Sequence, residues 1–576
     1  MAVVAVAIAA APSLWASGMR PAHASHAMVA SQHELASEAG VEMMRAGGNA
    51  VDAAVATGFA LAVVHPQAGN LGGGGFLLLR MASGETHFVD FREKAPAAAT
   101  RDMYLDAHGK IIKDASTVGY RAIAVPGSVA GLVYAQKKWG KLTLERVMAP
   151  AIKLAHEGFA LSYEDARSFR DPDSHLGEFA ESKRIFQRDG NFYQPGDIFR
   201  QPELARTLER IAKDPDDFYH GKLAQELAAA VHKGSGLMTA ADLAAYEVKE
   251  REPVRGSYRG YEIISTPPPS SGGIALIEIL NILEGYDLRR LGSLSADSMH
   301  LTAEAFRRAF FDRAEFLGDP DFAKIPVAQL MDKKYAAAWR ESLNPAHASA
   351  SPDLRRPAFG ELDRYAGKHP RRAPRERLHT THYSVVDAQG NAAAVTTTLN
   401  DSFGSAVTAD GLGFLLNNEM DDFTSKPGVP NIYGLIQGPA NAIGGGKRPL
   451  SSMMPTMVLK DGKLFLVLGS PGGSTIISTV ANILMGVVDY GMNIQEAVNA
   501  PRFHHQWLED AIYVERGRFS PDTLRLLEAR GHKVRAEGPW GPQDLWGDGE
   551  CIEIDLKTGE RLGASDARNN GKAVGY

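Results

Sequence analysis

A single cysteine, Cys551, in 576 residues removes two classes of chemistry at once. It permits no internal disulfide framework and no multi-thiolate metal centre. Its setting, "DGECIEIDL", reads as a plain strand, where a buried cysteine behaves as a small hydrophobe rather than a catalyst. Excess positive charge is missing too. The 62 Lys and Arg against 68 Asp and Glu give a net charge of -6, so nothing electrostatic points to nucleic acid or an anionic membrane as partner. Beyond residue 30 no apolar run is long enough to span a bilayer, and no internal repeat is visible. What is present, 44% hydrophobic and 23% charged residues with 58 glycines, is the composition of a soluble globular protein, longer than one ordinary domain needs.

The N-terminal stretch "MAVVAVAIAAAPSLWASGMRPAHASHAMVAS" is the exception. An apolar segment is followed by small-residue cleavage candidates, Ala22 to Ala24 or Ser25 to Ala27. This is the pattern of an export leader over 1–24, with a periplasmic or secreted location.

"SQHELASEAGVEMMRAGG" predicts a helix with a capping box from Ser31 to Glu34 and a glycine stop at Gly47 and Gly48. "NAVDAAVATGFALAVVH" predicts a second helix starting at Asn49, apolar nearly all round and therefore buried. "GNLGGGGFLLLR" and "THFVDFRE" read as strands, the latter ending near Arg92. Residues 115 to 350 read as mainly helical, with "STPPPSSGG" a rigid turn into an apolar helix. Residues 345–379 have no sustained period and are rich in Pro, Ala, Ser and Arg, which predicts an exposed linker. After it come two hairpins, "HYSVVDAQGNAAAVTTTLN" and "TMVLKDGKLFLVLGS", and the helix "STIISTVANILMGVVDYG". Strands and helices on both sides of the linker favour an α/β layered body.

Several superficial motifs fail on spacing. "NAIGGGKRP" lacks the first glycine and the hydroxyl of a phosphate loop, and "LGGGGF" precedes a strand where a dinucleotide fingerprint opens a helix. His379, His382, His504 and His505 have no carboxylate or cysteine partners at metal-ligand spacing, so no metal is expected. Other stretches leave two readings open. In "LVLGSPGGSTIISTV", Gly472 and Gly473 sit between a strand and a helix start. They are either a tight turn or a pair of N–H donors for an oxyanion. Ser451 and Ser452 in "KRPLSSMMPT" either bind a substrate carboxylate or cap a turn. Glu419, Asp421 and Asp422 in "LNNEMDDF" either hold a substrate ammonium or form a solvated acidic loop.

Thr380 and Thr381 lie where the linker meets a strand. β-Branching alone suits them to a strand. A threonine hydroxyl also becomes a nucleophile when a base stands beside it. Cutting the chain just before the threonine supplies that base as the new α-amine, whose pKa is ordinarily about 7.7–8.0. On physical grounds either threonine qualifies.

In combination and in this order, "TTHYSVVDAQGNAAAVTTTLNDSFGS", "LLNNEMDDF", "PGVPNIYGL", "KRPLSSMMPT", "GSPGGS" and "NAPRFHHQW" closely resemble the bacterial γ-glutamyltranspeptidases. "GGNAVDAAVA", "HPQAGNLGGGGF", "DFREKAP" and "STPPPSSGG" extend the resemblance from about residue 28 to Tyr576. The resemblance implies an N-terminal nucleophile hydrolase fold, a four-layer αββα sandwich, and a precursor that cuts itself between His379 and Thr380. The products would be a large subunit, 25–379, and a small catalytic subunit, 380–576, which stay together in one body. It further implies that Thr380 is the nucleophile and that Thr398 orients it. Gly472 and Gly473 would form the oxyanion hole. Arg92, Ser451 and Ser452 would bind the donor's α-carboxylate, and Asn400, Glu419 and Asp422 its α-ammonium. Tyr433 would belong to a lid over the glutamyl pocket. No cofactor is implied. The substrates would be glutathione and other γ-glutamyl donors, with water, amino acids or short peptides as acceptors. The leading alternative on the same fold is a β-lactam side-chain acylase, whose relatives tend to lack the lid.

Overall fold

The computed structural model describes residues 19–359, 380–538 and 546–576. Two seven-stranded sheets pack face to face, with helices on each outer face. One sheet runs in the order Lys572–Gly575, Met28–Ser31, Thr380–Val386, Ala392–Thr398, Gly74–Arg80, Thr86–Phe91, Lys249–Arg251. The other runs Ala22–Ala24, Arg561–Ala564, Cys551–Ile554, Lys463–Leu468, Thr456–Lys460, Tyr261–Ser265, Val254–Tyr258. Every pairing within the two sheets is antiparallel. This is the αββα sandwich expected from the sequence.

Side-chain alternation sorts the central strands into two cores. Phe76, Leu78, Val386, Ala392 and Ala394 share the inter-sheet core with Leu466, Leu468 and Ile552. Leu77, Leu79, Tyr383, Val385, Ala393 and Val395 face outward onto the helices Glu34–Arg45, Ala50–Val64 and Ser128–Trp139. All fifteen residues of the helix Ala50–Val64 are buried, and its start is a true capping box of Asn49 and Asp52. Each fully buried Val, Leu or Phe in such a layer contributes about 1.5–3 kcal/mol.

Three expectations need correction. The first helix is capped by His33, not Ser31, because Ser31 ends the strand Met28–Ser31 and donates to the His33 carbonyl. Within 115–350 lies a hairpin, Val254–Tyr258 with Tyr261–Ser265, closing the edge of one sheet. Residues 345–379 are not uniformly an exposed linker. Ser349 bonds Glu304, Ser351 and Leu354 are buried, and Arg356 pairs with Asp312 and Glu315. Residues 360–379, including His379, lie outside the described residues. Ala22–Ala24, at the end of the expected leader, form an edge strand on Arg561–Ala564, while residues 1–18 also lie outside. Among the described residues no helix is long and apolar enough to cross a membrane.

Candidate active site

The register of one hairpin sets the centre of the site. The turn Asp387–Asn391 is closed by the Asp387 carboxylate, which accepts from the N–H of Gln389 and of Asn391, both at 2.9 Å. Val386 therefore pairs with Ala392, and counting back in register puts Thr380 directly opposite Thr398. Their hydroxyls lie 3.1 Å apart on the inter-sheet face. Thr398 Oγ1 also accepts from the Asn400 N–H at 2.8 Å. Thr381 points the other way, and its buried hydroxyl has no hydrogen-bond partner among the described residues. Of the two eligible threonines, only Thr380 reaches the cleft.

The cleft collects Arg92, Thr380, Thr398, Asn400, Glu419, Asp422, Tyr433, Ser451, Ser452 and Gly473 along its wall. Gly472 lines a second cavity, of about 420 Å³, on the other side of Thr380, together with Gln32, Ser402 and Asp548. Thr380 thus stands between a tight polar cleft and a wider opening.

The acidic segment is not a solvated loop. Glu419 to Asp422 form a buried 3-10 turn, anchored by Asn417, whose side chain accepts from the N–H of Glu419 and Ala124 and donates to the carbonyls of Gly72 and Ala124. Arg92 lies at its centre, paired with Glu419, Asp422 and more distantly Glu93. It also donates to the Pro449 and Leu450 carbonyls. Burial works against its charge, yet Glu419, Asp422 and Glu93 together hold its pKa above the ordinary arginine value. The three carboxyls respond in kind: burial pushes Glu93 up to about 7, Glu419 well up and Asp422 up, with Arg92 opposing each rise.

On the opposite wall, Ser451 Oγ accepts from the Met453 N–H at 3.0 Å. The Ser451 carbonyl accepts from Ser271, in the "STPPPSSGG" turn, through both N–H at 2.8 Å and Oγ at 2.7 Å. Pro471 to Ser474 connect the strand Lys463–Leu468 to the helix Thr475–Val488. Among the described residues nothing accepts from the N–H of Gly472 or Gly473. At Gly473, φ is +50°, and a Cβ would stand 2.4 Å from the Tyr433 ring, so the residue must be glycine. Tyr433 covers the cleft by donating from its hydroxyl to the Asn400 carbonyl, and Asn431 holds the segment to Asp422.

Sequence reasoning missed Glu93, although it adjoins Arg92; Asp421, a candidate for the substrate ammonium, instead ties the lid down by accepting from the Ile432 N–H at 2.8 Å. The histidines are internal polar groups. Burial pulls His382 and His504 down to about 3 and His505 to about 4, and hydroxyl, amide or carboxylate partners satisfy them. Among the described residues one His/Glu/His group, His300, Glu304 and His532, is compact enough to suggest a metal. Glu304 is already bound by Arg307 and Arg308, and the two imidazoles bond each other at 2.7 Å. Its donors are spent.

The arrangement offers a hydroxyl nucleophile, two open N–H donors and a polar cleft that carries both a guanidinium and carboxylates. That is the equipment for acyl transfer from a small zwitterionic donor. Comparisons with known proteins agree. The family described as Gamma-glutamyltranspeptidase matches residues 36–576. The glutathione hydrolase proenzyme of Pseudomonas sp. (strain A14) is 49% identical over 574 residues, 97% of this chain and 96% of that one. The glutathione hydrolase proenzyme of Escherichia coli (strain K12) is 50% identical over 551 residues, 95% of this chain and 91% of that one. Among solved structures, the cephalosporin acylase from Bacillus halodurans matches with a TM-score of 0.84 and 26% identity, covering 99% of each chain. With its sandwich, its Thr380 cleft and this extent of similarity, the chain belongs to the γ-glutamyltranspeptidase family.

Proposed function

We propose that the chain is a self-processing γ-glutamyltransferase and glutathione hydrolase with Thr380 as nucleophile. The observation that carries this reading is the single cleft in which Thr380 meets Arg92, Ser451, Ser452, Asn400, Glu419 and Asp422.

In the precursor, Thr380 Oγ1 attacks the carbonyl carbon of His379. The C–N bond breaks, an ester forms, and water resolves it to a His379 carboxylate and a free Thr380 α-amine. In turnover that amine takes the hydroxyl proton as Oγ1 attacks the donor's γ-carbonyl. The oxyanion develops against the N–H groups of Gly472 and Gly473. The protonated amine then gives its proton to the leaving nitrogen, and a γ-glutamyl ester remains on Thr380. Water releases glutamate; an amino acid or short peptide, entering from the wider cavity, accepts the γ-glutamyl group instead. Arg92 and the serines take the donor's α-carboxylate, and the acidic wall takes its α-ammonium. The lid segment, with Tyr433 bonded across the cleft to the Asn400 carbonyl, disfavours the acylase reading, whose relatives tend to lack it.

The test is release of glutamate and cysteinylglycine from glutathione, with and without glycylglycine. A denaturing gel should show two pieces, the smaller beginning at Thr380. Whole protein with no new N-terminus would refute the reading. We also propose export through a leader over 1–24. N-terminal sequencing of protein from the periplasm would find it removed, and recovery only from the cytoplasm would refute export.

A further inference from the structure

Arg313 lies on the helix Ala296–Phe316 and is 2% exposed. No carboxylate among the described residues forms an ion pair with it. Its Nε donates to Ser271 Oγ at 2.8 Å and its Nη2 to Ser452 Oγ at 3.1 Å, while Nη1 has no hydrogen-bond partner among the described residues. A guanidinium only donates, so Ser452 Oγ is the acceptor in that bond and its own proton points elsewhere. Ser452 lines the Thr380 cleft, so this hydroxyl is left to donate to an anion there. Ser271 accepts from Arg313 and passes its proton to the Ser451 carbonyl at 2.7 Å, which fixes the backbone of the same wall.

The charge balance points the same way. Arg92 is matched by Glu93, Glu419 and Asp422, whereas Arg313 has only the more distant influence of Asp422. Burial lowers its pKa to about 10, which still leaves it a cation at neutral pH.

We propose that Arg313 is a positioning and specificity-determining residue for the donor's α-carboxylate, holding Ser452 as a donor and supplying positive charge that the paired Arg92 does not. The proposal rests on the γ-glutamyl reading above. The same guanidinium braces both serines, one directly and one through Ser271.

The test compares wild type, Arg313→Met, Arg313→Lys and Ser271→Ala in hydrolysis of γ-glutamyl-p-nitroanilide. L-Glutamine and 4-aminobutanamide, which differ only by the α-carboxylate, serve as competitive inhibitors. Arg313→Met should raise KM and the L-glutamine inhibition constant about 10- to 100-fold, the range for losing a charge-assisted hydrogen bond. The constant for 4-aminobutanamide should not move, and kcat should change far less than KM. Arg313→Lys and Ser271→Ala should fall between wild type and Arg313→Met. Equal losses for both inhibitors, or a fall in kcat alone, would overturn the proposal. So would unprocessed protein from both arginine variants together with an unchanged KM in Ser271→Ala. A wild-type enzyme inert towards γ-glutamyl-p-nitroanilide would instead refute the functional reading itself.

Discussion

Thr380 and Thr398 occupy the last matched pair of the central hairpin, hydroxyl to hydroxyl at 3.1 Å. A change to Thr398 therefore acts first on the nucleophile, and its Oγ1 meets the backbone N–H of Asn400 rather than that residue's side chain. Thr398→Ala should slow processing and lower kcat about 3- to 10-fold, as for one lost neutral hydrogen bond, with KM little changed; Thr398→Ser should recover most of the loss. Thr380→Ala should abolish both processing and turnover, whereas Thr381→Ala should retain both. Gel analysis and steady-state kinetics decide, and a dead Thr381→Ala with an active Thr380→Ala would reverse the assignment.

The acidic wall predicts a pH effect. Burial raises Glu93, Glu419 and Asp422, Glu93 to about 7, so below that pH the empty cluster retains protons. A donor ammonium favours the ionised carboxylates, so donor binding releases protons and KM should climb as pH falls below about 7. Glu93→Gln removes one titrating partner and should move that limb to lower pH. An unchanged KM profile in Glu93→Gln would remove Glu93 from the account.

Gly473 predicts a steric effect on rate. A methyl group there meets the Tyr433 ring and sits at positive φ, so Gly473→Ala should displace the N–H and cost about 10²- to 10³-fold in kcat, the scale of a lost oxyanion donor. Combining it with Tyr433→Ala should recover part of kcat. A double variant no faster than Gly473→Ala would mean that the ring is not the obstacle.

Asp548 and Glu550 predict a stability effect. Both are fully buried; burial pushes Asp548 up to about 7 and Glu550 well above the usual range, each further raised by neighbouring acids. Between the ordinary carboxylate pKa of about 4 and the raised folded value, the native chain holds protons that the unfolded chain has released. Stability contributed by these groups is therefore complete below about pH 4 and is lost as pH rises through the raised folded values, about 7 for Asp548. Glu550→Gln mimics the protonated acid and should stabilise the protein at pH 8 by on the order of 1–3 kcal/mol, with a smaller gain at pH 5. Thermal melts at the two pH values would refute this if the gain were equal or larger at pH 5.

Much of this was readable from the chain, for a physical reason. Long periodic stretches such as Ala50–Val64 and turn chemistry such as Asp387–Asn391 announce themselves locally. The buried state of Glu419 and Asp422 did not, because an acidic run looks solvated until Asn417 and Arg92 are seen packed around it. Arg313 was equally hidden: a charged residue on a helix reads as surface, and only the burial of Ala296–Phe316 against the serine wall reveals otherwise. The Val254–Ser265 hairpin was lost among helices because Gly256, on the same face as Val254 and Tyr258, breaks the apolar alternation of its first strand.

The strand Met28–Ser31 has Lys572–Gly575 on one side and Thr380–Val386 on the other. On the proposed reading both neighbours belong to the other piece, so this strand pairs with no strand of its own subunit. Synthesised apart, each piece would carry raw sheet edges, a template for aggregation. Covalent continuity is thus the chaperone of this sandwich, needed during folding and dispensable afterwards. A gene split at residue 380 should yield far less enzyme than the intact reading frame, even though the finished molecules would be chemically identical.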